Sequence, residues 1–283
     1  MDRLIYYNDR IVEAAEAGIS PTSPGLLYGW GVFTTLRFYR RAVFAFDRHW
    51  ERLKRHSEHC SINILQEQDE VKRRIDELIE ANSAENGRVR ITVLKGEAGP
   101  WRLDHGRESD LLIFTAAEAP TPFRESAITI SPFRVLSHGR LAGIKRTAML
   151  ENLLALEEAR SRGFSEAVMV NERGEMVGAT AANLFWVEGG HLFTPSRATG
   201  CVAGITRGFV CEIARQNKIQ VVEGSFPVQR LLDAAEVFLS STARGISPVL
   251  SFDIREYNLK QARKTKLIAR EFQKLTRGAR IKT

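Results

Sequence analysis

Apolar residues recur along the chain with two different periods, which predict a mixture of helices and strands. A spacing of three to four residues predicts helices over 68–81 and 149–162, and Gly163 is placed to end the second. Alternation of apolar and polar residues predicts a half-buried strand over 87–96. β-Branched and aromatic residues predict further strands over 4–7, 32–39, 42–46, 111–115 and 127–130. Asp47 follows one of these strands directly, and we expect it to cap the helix that comes next.

Later in the chain the predicted strands are short and closely spaced, which favours a barrel or a curled sheet. They cover 167–170, 176–177, 183–187, 191–194 and 237–240. A helix is expected from Gly204 to about Gln216, and the Pro120-Thr121-Pro122 stretch is the best candidate for a linker. We therefore expect an α+β fold, with a small N-terminal α/β domain (1–119), a linker (120–124) and a larger C-terminal domain (125–283) that holds the barrel-like sheet and helices.

Composition is that of a folded globular protein. The 283 residues are 43% apolar and 27% charged, which allows a substantial core and argues against general disorder. The net charge of +7 does not indicate nucleic-acid binding, because the basic residues are scattered among 34 acidic ones. The one basic concentration, 260–282, has an amphipathic pattern and is expected to be a terminal helix packed by its apolar stripe, rather than a tail that binds RNA or a membrane.

The cysteines predict a reducing compartment. Cys60, Cys201 and Cys211 have no paired spacing, and the N-terminus has no apolar signal segment, so we expect a cytoplasmic protein. His56, His59 and Cys60 are close in sequence but lack a fourth ligand, and we expect no metal site there.

Lys145 is the leading candidate for chemistry. It lies between an extended stretch and the start of the predicted helix over 149–162, where a lysine can point into a cavity and lose its solvation. Desolvation lowers the pKa of the amine and makes it nucleophilic, as a Schiff-base lysine requires. The alternative is an ordinary solvated loop lysine.

Two other stretches favour the binding of anions. Arg88, Arg90 and Thr92 share one face of the strand over 87–96, and two arginines beside a pocket would suit a carboxylate. Gly204 precedes a helix whose free N–H groups and positive dipole end suit a phosphate. The hydroxyls that follow the strand over 237–240 could close on the same anion.

Taken together, these stretches resemble the fold-type IV pyridoxal-phosphate enzymes, the class-IV aminotransferase group that includes branched-chain and D-amino-acid aminotransferases and aminodeoxychorismate lyase. The resemblance covers nearly the whole chain. Six motifs carry it, in the order of the family: Tyr28-Gly29-x-Gly31-Val32-Phe33, His49-x-x-Arg52-Leu53, Ile144-Lys145, Ala182-Asn183-Leu184-Phe185, Gly204-Ile205-Thr206-Arg207 and Ser241-Thr242.

The resemblance implies pyridoxal 5'-phosphate as the cofactor and assigns roles to individual residues. Lys145 would form the Schiff base and move protons. The residues implied in cofactor binding, besides Lys145, are Arg52, Ile205, Thr206, Ser241 and Thr242. Tyr28, Arg90 and Thr34 would lie on the substrate side. A homodimer and a small amino-acid or oxo-acid substrate are also implied, with no nucleic-acid or membrane partner.

The sequence departs from the family pattern at positions that bear on the reaction. The family usually has a glutamate five residues before Asn183, where it keeps the pyridine nitrogen protonated, and this chain has Gly178 there. Glu175 lies three residues earlier and would need a local shift to replace it. Thr34 stands where aminotransferases often have glutamate and is more like the lyase. We therefore expect an aminotransferase, and keep as alternatives aminodeoxychorismate lyase, which eliminates pyruvate to give 4-aminobenzoate, and a cofactor-binding protein that has lost catalysis.

Overall fold

The computed structural model describes residues 2–96, 107–118 and 125–278, which form two compact units. Of these residues, 2–96, 107–118, 144–148 and 276–278 belong to the first unit, and 125–143 and 149–275 belong to the second. The predicted linker at 120–124 lies outside the described residues. The short segment 144–148, which carries Lys145, belongs to the first unit although the sequence around it belongs to the second.

An antiparallel sheet forms the centre of the first unit, with the strand order β2-β1-β6-β5-β3-β4. The strands are β1 (Leu4–Tyr7), β2 (Arg10–Glu13), β3 (Gly31–Tyr39), β4 (Ala42–Val43), β5 (Asn86–Lys95) and β6 (Ser109–Ala117). The helices of this unit are α1 (Pro24–Leu27), α2 (Phe46–His59) and α3 (Gln68–Ala81). Alternation in β5 buries Val89, Ile91 and Val93 in one core with the apolar sides of α2 and α3, as the pattern predicted.

The start of α2 corrects the sequence prediction. The strand predicted over 42–46 ends at Val43, and the helix begins at Phe46, one residue before Asp47. Ala45 is the N-cap residue, with a left-handed backbone (φ 55°) and no side-chain cap, so Asp47 lies inside the first turn. A negative side chain in that turn still complements the helix dipole. The aromatic ring of Phe46 is buried, and packing of this ring into the core sets the helix start.

The second unit is built on a curled sheet with the strand order β12-β11-β10-β13-β14-β7-β8-β9. Its strands are β7 (Ser126–Val135), β8 (Glu166–Asn171), β9 (Met176–Ala179), β10 (Asn183–Glu188), β11 (His191–Pro195), β12 (Val221–Gly224), β13 (Glu236–Ser241), β14 (Gly245–Phe252) and β15 (Arg255–Glu256), which pairs with β14. Strand β9, at one end of the order, also contacts β10 and β11, so the sheet curls back on itself. This confirms the prediction of an α+β fold with a barrel-like sheet.

The helices of the second unit begin and end close to the predicted residues. They are α4 (Leu150–Ser161), α5 (Ile205–Gln216) and α6 (Arg263–Gly278), whose residues from Thr276 onwards are grouped with the first unit. Within the basic C-terminal stretch, Arg263–Gly278 form a helix. Ile268 and Phe272 of the predicted apolar stripe are buried, whereas Leu275 is 42% exposed. Among the described residues, no helix combines the length and apolar character that crossing a membrane requires.

Candidate active site

Lys145 lies on a short segment that hydrogen-bonds to the beginning of β3. The carbonyl oxygen of Lys145 accepts a hydrogen bond from the amide of Phe33 (3.1 Å), and the amide of Thr147 donates to the carbonyl of Gly31 (2.9 Å). An antiparallel bridge between Val32 and Arg146 lies between these two bonds. The main chain around the lysine is therefore held by a strand of the first-unit core.

The Lys145 amine lies among aromatic and cationic groups. Its Nζ atom is 4.3 Å from the centroid of the Phe33 ring, and the guanidinium carbon of Arg90 is 3.6 Å from the same centroid. Burial of the amine, together with the charges of Arg52 and Arg90, lowers the pKa of Lys145 to about 7. A substantial fraction of the amine is therefore unprotonated at neutral pH and able to act as a nucleophile or base.

Helix α2 contributes a buried cation to the same group of residues. Arg52 is 5% exposed, and its guanidinium donates to the hydroxyl of Thr34 (2.9 Å). The Thr34 hydroxyl also hydrogen-bonds to Nδ1 of His49 (2.7 Å), so this buried hydroxyl links the two side chains of the helix. Burial lowers the pKa of Arg52 to about 10, with Arg55 contributing, and the side chain still carries its charge at neutral pH.

His56, one turn after Arg52, contacts the lysine segment, and the sequence did not reveal this contact. Its Nδ1 atom accepts a hydrogen bond from the main-chain amide of Lys145 (3.0 Å). The spacing of His49, Arg52 and His56 on one helix face is the local signal for this contact, whereas proximity in sequence groups His56 with His59 and Cys60. In the part of the chain that the structure describes, no three His, Cys, Asp or Glu side chains form a group that could hold a metal ion.

The other predicted cofactor residues, Ile205, Thr206, Ser241 and Thr242, lie in the second unit, whereas Arg52 lies in the first. Helix α5 begins at Ile205, and the first amides of a helix have no partner within the helix. Thr206 in this first turn is buried, and α5 packs against β13, which ends at Ser241. The Ser241 hydroxyl accepts from the amide of Arg244 (3.2 Å), and Thr242 lies in the same turn.

Gly204 allows the close approach that fixes the start of α5. A Cβ atom at this position would lie 2.1 Å from Oδ1 of Asn183. Nδ2 of the same asparagine donates to the carbonyl of Val202 (2.9 Å), two residues before the glycine. The asparagine side chain therefore holds the loop that leads into the helix, and it would have to move to admit a side chain at 204.

Comparison with known proteins identifies the family. Residues 31–252 match the family model described as amino-transferase class IV. The chain belongs to this family. A Methanocaldococcus jannaschii protein, provisionally named a branched-chain-amino-acid aminotransferase, is 32% identical over 261 residues, which cover 91% of this chain and 90% of the relative. Aminodeoxychorismate lyase of Bacillus subtilis is 27% identical over 276 residues, which cover 96% of this chain and 94% of the relative.

Solved structures support the same assignment. The crystal structure of the branched-chain amino acid aminotransferase of Escherichia coli matches with a TM-score of 0.91 and 26% identity, covering 99% of this chain and 96% of that chain. The resemblance to fold-type IV enzymes is thereby confirmed, and this class IV chain is an enzyme of the aminotransferase or lyase type.

Gly178, which departs from the family pattern, lies where the backbone leaves little space for a side chain. Gly178 lies in β9 with φ 155°, and a Cβ atom there would be 2.9 Å from the carbonyl oxygen of Ala182. Glu175 is engaged elsewhere, because its carboxylate accepts from Arg173 and from Nδ2 of Asn171 (2.8 Å). These bonds lower the pKa of Glu175, the bond to Arg173 most strongly, so this carboxylate is ionised and hydrogen-bonded within its own turn.

Another carboxylate near this strand escaped the sequence analysis. Glu166 in β8 is fully buried and accepts hydrogen bonds from the amide and hydroxyl of Thr180, two residues after Gly178. Its second oxygen lies 3.1 Å from the guanidinium of Arg244, in the turn that contains Thr242. Sequence alone gave no reason to select this acid, because its partners lie 14 and 78 residues away.

Tyr28, a predicted substrate residue, has a different environment from the buried group in the first unit. Tyr28 follows α1 directly and is 59% exposed. In the first unit, contacts bring together Lys145, Arg52, Arg90 and Thr34. The second unit holds Ile205, Thr206, Ser241 and Thr242.

Proposed function

We propose that this protein uses pyridoxal 5'-phosphate to transfer an amino group between a small amino acid and a 2-oxo acid. The observation that carries the proposal is the Lys145 amine, whose pKa falls to about 7 beside Arg52 and Arg90. Such an amine can bond covalently to an aldehyde at neutral pH, which an ordinary protonated lysine does poorly. Bound pyridoxal phosphate supplies an electron sink for the carbanion formed at the substrate carbon.

The residues of the chain fit that cofactor. A partly deprotonated lysine provides the covalent attachment, and the start of α5 provides free amide donors of the kind that bind phosphate. Thr206, Ile205, Ser241 and Thr242 are proposed phosphate ligands, as is Arg52 with its buried, charged guanidinium. Gly178 has no side chain, and Glu175 is bonded within its own turn. These observations support a pyridine nitrogen without the carboxylate partner that the family pattern supplies.

Each remaining residue has a proposed task in the reaction. Lys145 holds and returns a proton at the substrate carbon through Nζ. Arg90, a half-buried cation against the Phe33 ring, would bind the substrate carboxylate. Tyr28 and Thr34 are proposed on the substrate side. The Thr34 hydroxyl is also bonded to Arg52 and His49, so it would in addition orient the proposed phosphate ligand Arg52.

A half-reaction tests the proposal. The protein loaded with pyridoxal phosphate should show the absorbance of the lysine-linked cofactor, and mixing with a panel of amino acids should shift that absorbance as the amino group is transferred. Lys145→Ala should abolish the lysine-linked band. A retained band in that variant, or no shift with any donor, would refute the assignment.

The lyase is the second candidate, and Thr34 is the observation that favours it. The hydroxyl at this position replaces the carboxylate that aminotransferases often carry, and the Bacillus subtilis relative is named as aminodeoxychorismate lyase. Pyruvate release from aminodeoxychorismate, without any absorbance shift across the donor panel, would select the lyase over the aminotransferase.

We also propose a cytoplasmic homodimer. Cys60, Cys201 and Cys211 are all free thiols, which supports a reducing compartment. Exposed leucines on α4 support self-association.

A further inference from the structure

His56 is buried on the face of α2 that also carries Arg52. The residue is 5% exposed, and its Nδ1 atom is the acceptor for the main-chain amide of Lys145 at 3.0 Å. These two residues are 89 positions apart, so the bond joins α2 to the lysine segment across the chain.

The bond completes the fixation of the Lys145 peptide. On the carbonyl side, Lys145 accepts from the amide of Phe33 in β3, and the bridge between Val32 and Arg146 continues the pairing. On the amide side, the donor of Lys145 points to the imidazole of His56. Both main-chain polar groups of Lys145 are therefore bonded, which fixes the direction of its Cα–Cβ bond. This direction sets the position from which Nζ reaches Phe33.

Only neutral imidazole can perform this task. Since Nδ1 accepts a hydrogen bond, the ring proton must lie on Nε2. In a doubly protonated ring, the N–H at Nδ1 would face the N–H of Lys145, and no hydrogen bond could form. Burial first, and then the charges of Arg52, Arg55, His59 and Lys145, lower the pKa of His56 to about 4. The imidazole therefore stays uncharged across the physiological range and adds no third cation beside the amine.

We propose that His56 is a positioning residue for Lys145, which holds the lysine main chain through its unprotonated Nδ1 and thereby keeps the amine in its desolvated position. The significance for catalysis rests on the proposed function, but the effect on the amine belongs to the protein without cofactor. Loss of the acceptor should release the segment, let Nζ reach water, and return its pKa towards the ordinary value near 10.5.

A matched pair of substitutions separates the hydrogen bond from packing. His56→Asn places an amide oxygen near the position of Nδ1, and His56→Leu has nearly the same shape as asparagine without an acceptor. His59→Leu, on the exposed side of the same helix, is the control for general changes in α2. The pKa of Lys145 is measured in the cofactor-free protein by competitive labelling with acetic anhydride, with the Lys145 peptide quantified by mass spectrometry.

We expect His56→Leu to raise the pKa of Lys145 by about one unit, so that its labelling rate near pH 7 falls by several-fold, up to about tenfold. His56→Asn and His59→Leu should stay close to the wild type. The proposal is overturned if the asparagine and leucine variants shift the pKa equally, or if neither shifts it. Should His56→Leu fail to fold, judged by circular dichroism, His56→Ala replaces it in the same comparison with His56→Asn.

The outcome for the proposed function is read separately. Wild-type protein is mixed with pyridoxal phosphate, and the lysine-linked absorbance is recorded. If that band is absent while the pKa of Lys145 still responds to His56→Leu, the proposed function fails and the positioning role stands. If the band is present and the pKa does not respond, the positioning role fails alone.

Discussion

Lys145 shows how neighbouring charge and burial convert a common side chain into a reactive one. Its pKa of about 7, against 10.5 for the ordinary amine, arises from desolvation first and from Arg52 and Arg90 second. Because the unfolded chain binds this proton more readily between pH 7 and pH 10.5, the amine contributes to the free energy of unfolding increasingly as the pH rises through that window. Below pH 7 both states are protonated, and this contribution is absent.

Replacing Arg90 should make the amine of Lys145 more basic. Arg90→Gln removes one of the two cations that disfavour the charged amine, so the pKa of Lys145 should rise by about half a unit to one unit. Arg88→Gln is the matched control, because Arg88 is two positions away on the same strand face but forms an ion pair with Glu118. Competitive labelling of the lysine measures both variants. An equal shift in the two would show that general surface charge, rather than Arg90, acts on the amine.

At the residue scale, the sequence points to residues whose signal is local and gives no access to contacts between distant positions. Lys145 could be selected because a strand-to-helix junction is visible in the pattern around it. His56 could not be assigned, because its partner lies 89 residues away and no periodicity records a bond between an imidazole and a distant main-chain amide. Glu166 was missed for the same reason, since its carboxylate contacts Thr180 and Arg244, which are distant in sequence.

At the scale of elements, regular local patterns predicted the bounds of helix α3 and of the short strand β1, but not the start of α2 or strand β14. Helix α3 runs from Gln68 to Ala81 as its spacing predicted. The start of α2 was misplaced because burial of Phe46 outweighs the capping preference of Asp47. Strand β14 was missed because Pro248 and polar residues interrupt its alternation, whereas its pairing with β13 and β7 stabilises it.

Two glycines of the same helical region should respond oppositely to alanine. Gly204→Ala forces a Cβ into Oδ1 of Asn183, so the asparagine must turn and give up its bond to Val202, at a cost of about 1–2 kcal/mol. Gly208→Ala, four residues later inside α5, meets no atom within 4 Å and should stabilise the helix by about 0.5–1 kcal/mol. Thermal unfolding of both variants measures the difference. Equal melting temperatures would contradict the role given to the close approach at Gly204.

The same pair tests whether the start of α5 binds phosphate. A displaced helix start should weaken the binding of pyridoxal phosphate in Gly204→Ala, while Gly208→Ala should bind as the wild type does. Titration of each cofactor-free variant, at a temperature where both are folded, separates this effect from stability. If Gly204→Ala binds pyridoxal phosphate with unchanged affinity, the start of α5 is not part of the phosphate site.

For the whole molecule, the α+β class and the curled sheet could be predicted, because they follow from the order and spacing of elements. The membership of 144–148 in the first unit could not, since it depends on hydrogen bonds from Phe33 and to Gly31 that pair residues more than 110 positions apart. A boundary drawn at a proline-rich stretch treats each domain as continuous. The lysine segment is bonded to β3 and is grouped with the first unit, although the chain on both sides of it is grouped with the second.

The outer surface of the second unit carries a feature that predicts the assembly state. On α4, Leu150, Leu153 and Leu154 are 67%, 54% and 46% exposed, and together they form an apolar stripe one turn long. Contiguous apolar surface of this kind is unfavourable in water and is typical of subunit contacts. If the protein is a homodimer through this stripe, polar substitution there should weaken the dimer without unfolding the chain, because the side chains contribute little to the core.

The double variant Leu150→Gln/Leu153→Gln should therefore raise the dimer dissociation constant by at least about tenfold. The reason is that the dimer contact would bury both leucines, and their loss would remove more than about 1.4 kcal/mol of association free energy. Ile254→Gln, which changes a 99% exposed side chain at the turn between β14 and β15, is the matched control and should leave association unchanged. Sedimentation velocity over a range of concentrations measures both. A wild-type protein that stays monomeric at the highest concentration would exclude the dimer, and a dimer that the double variant leaves intact would place the subunit contact elsewhere than on α4.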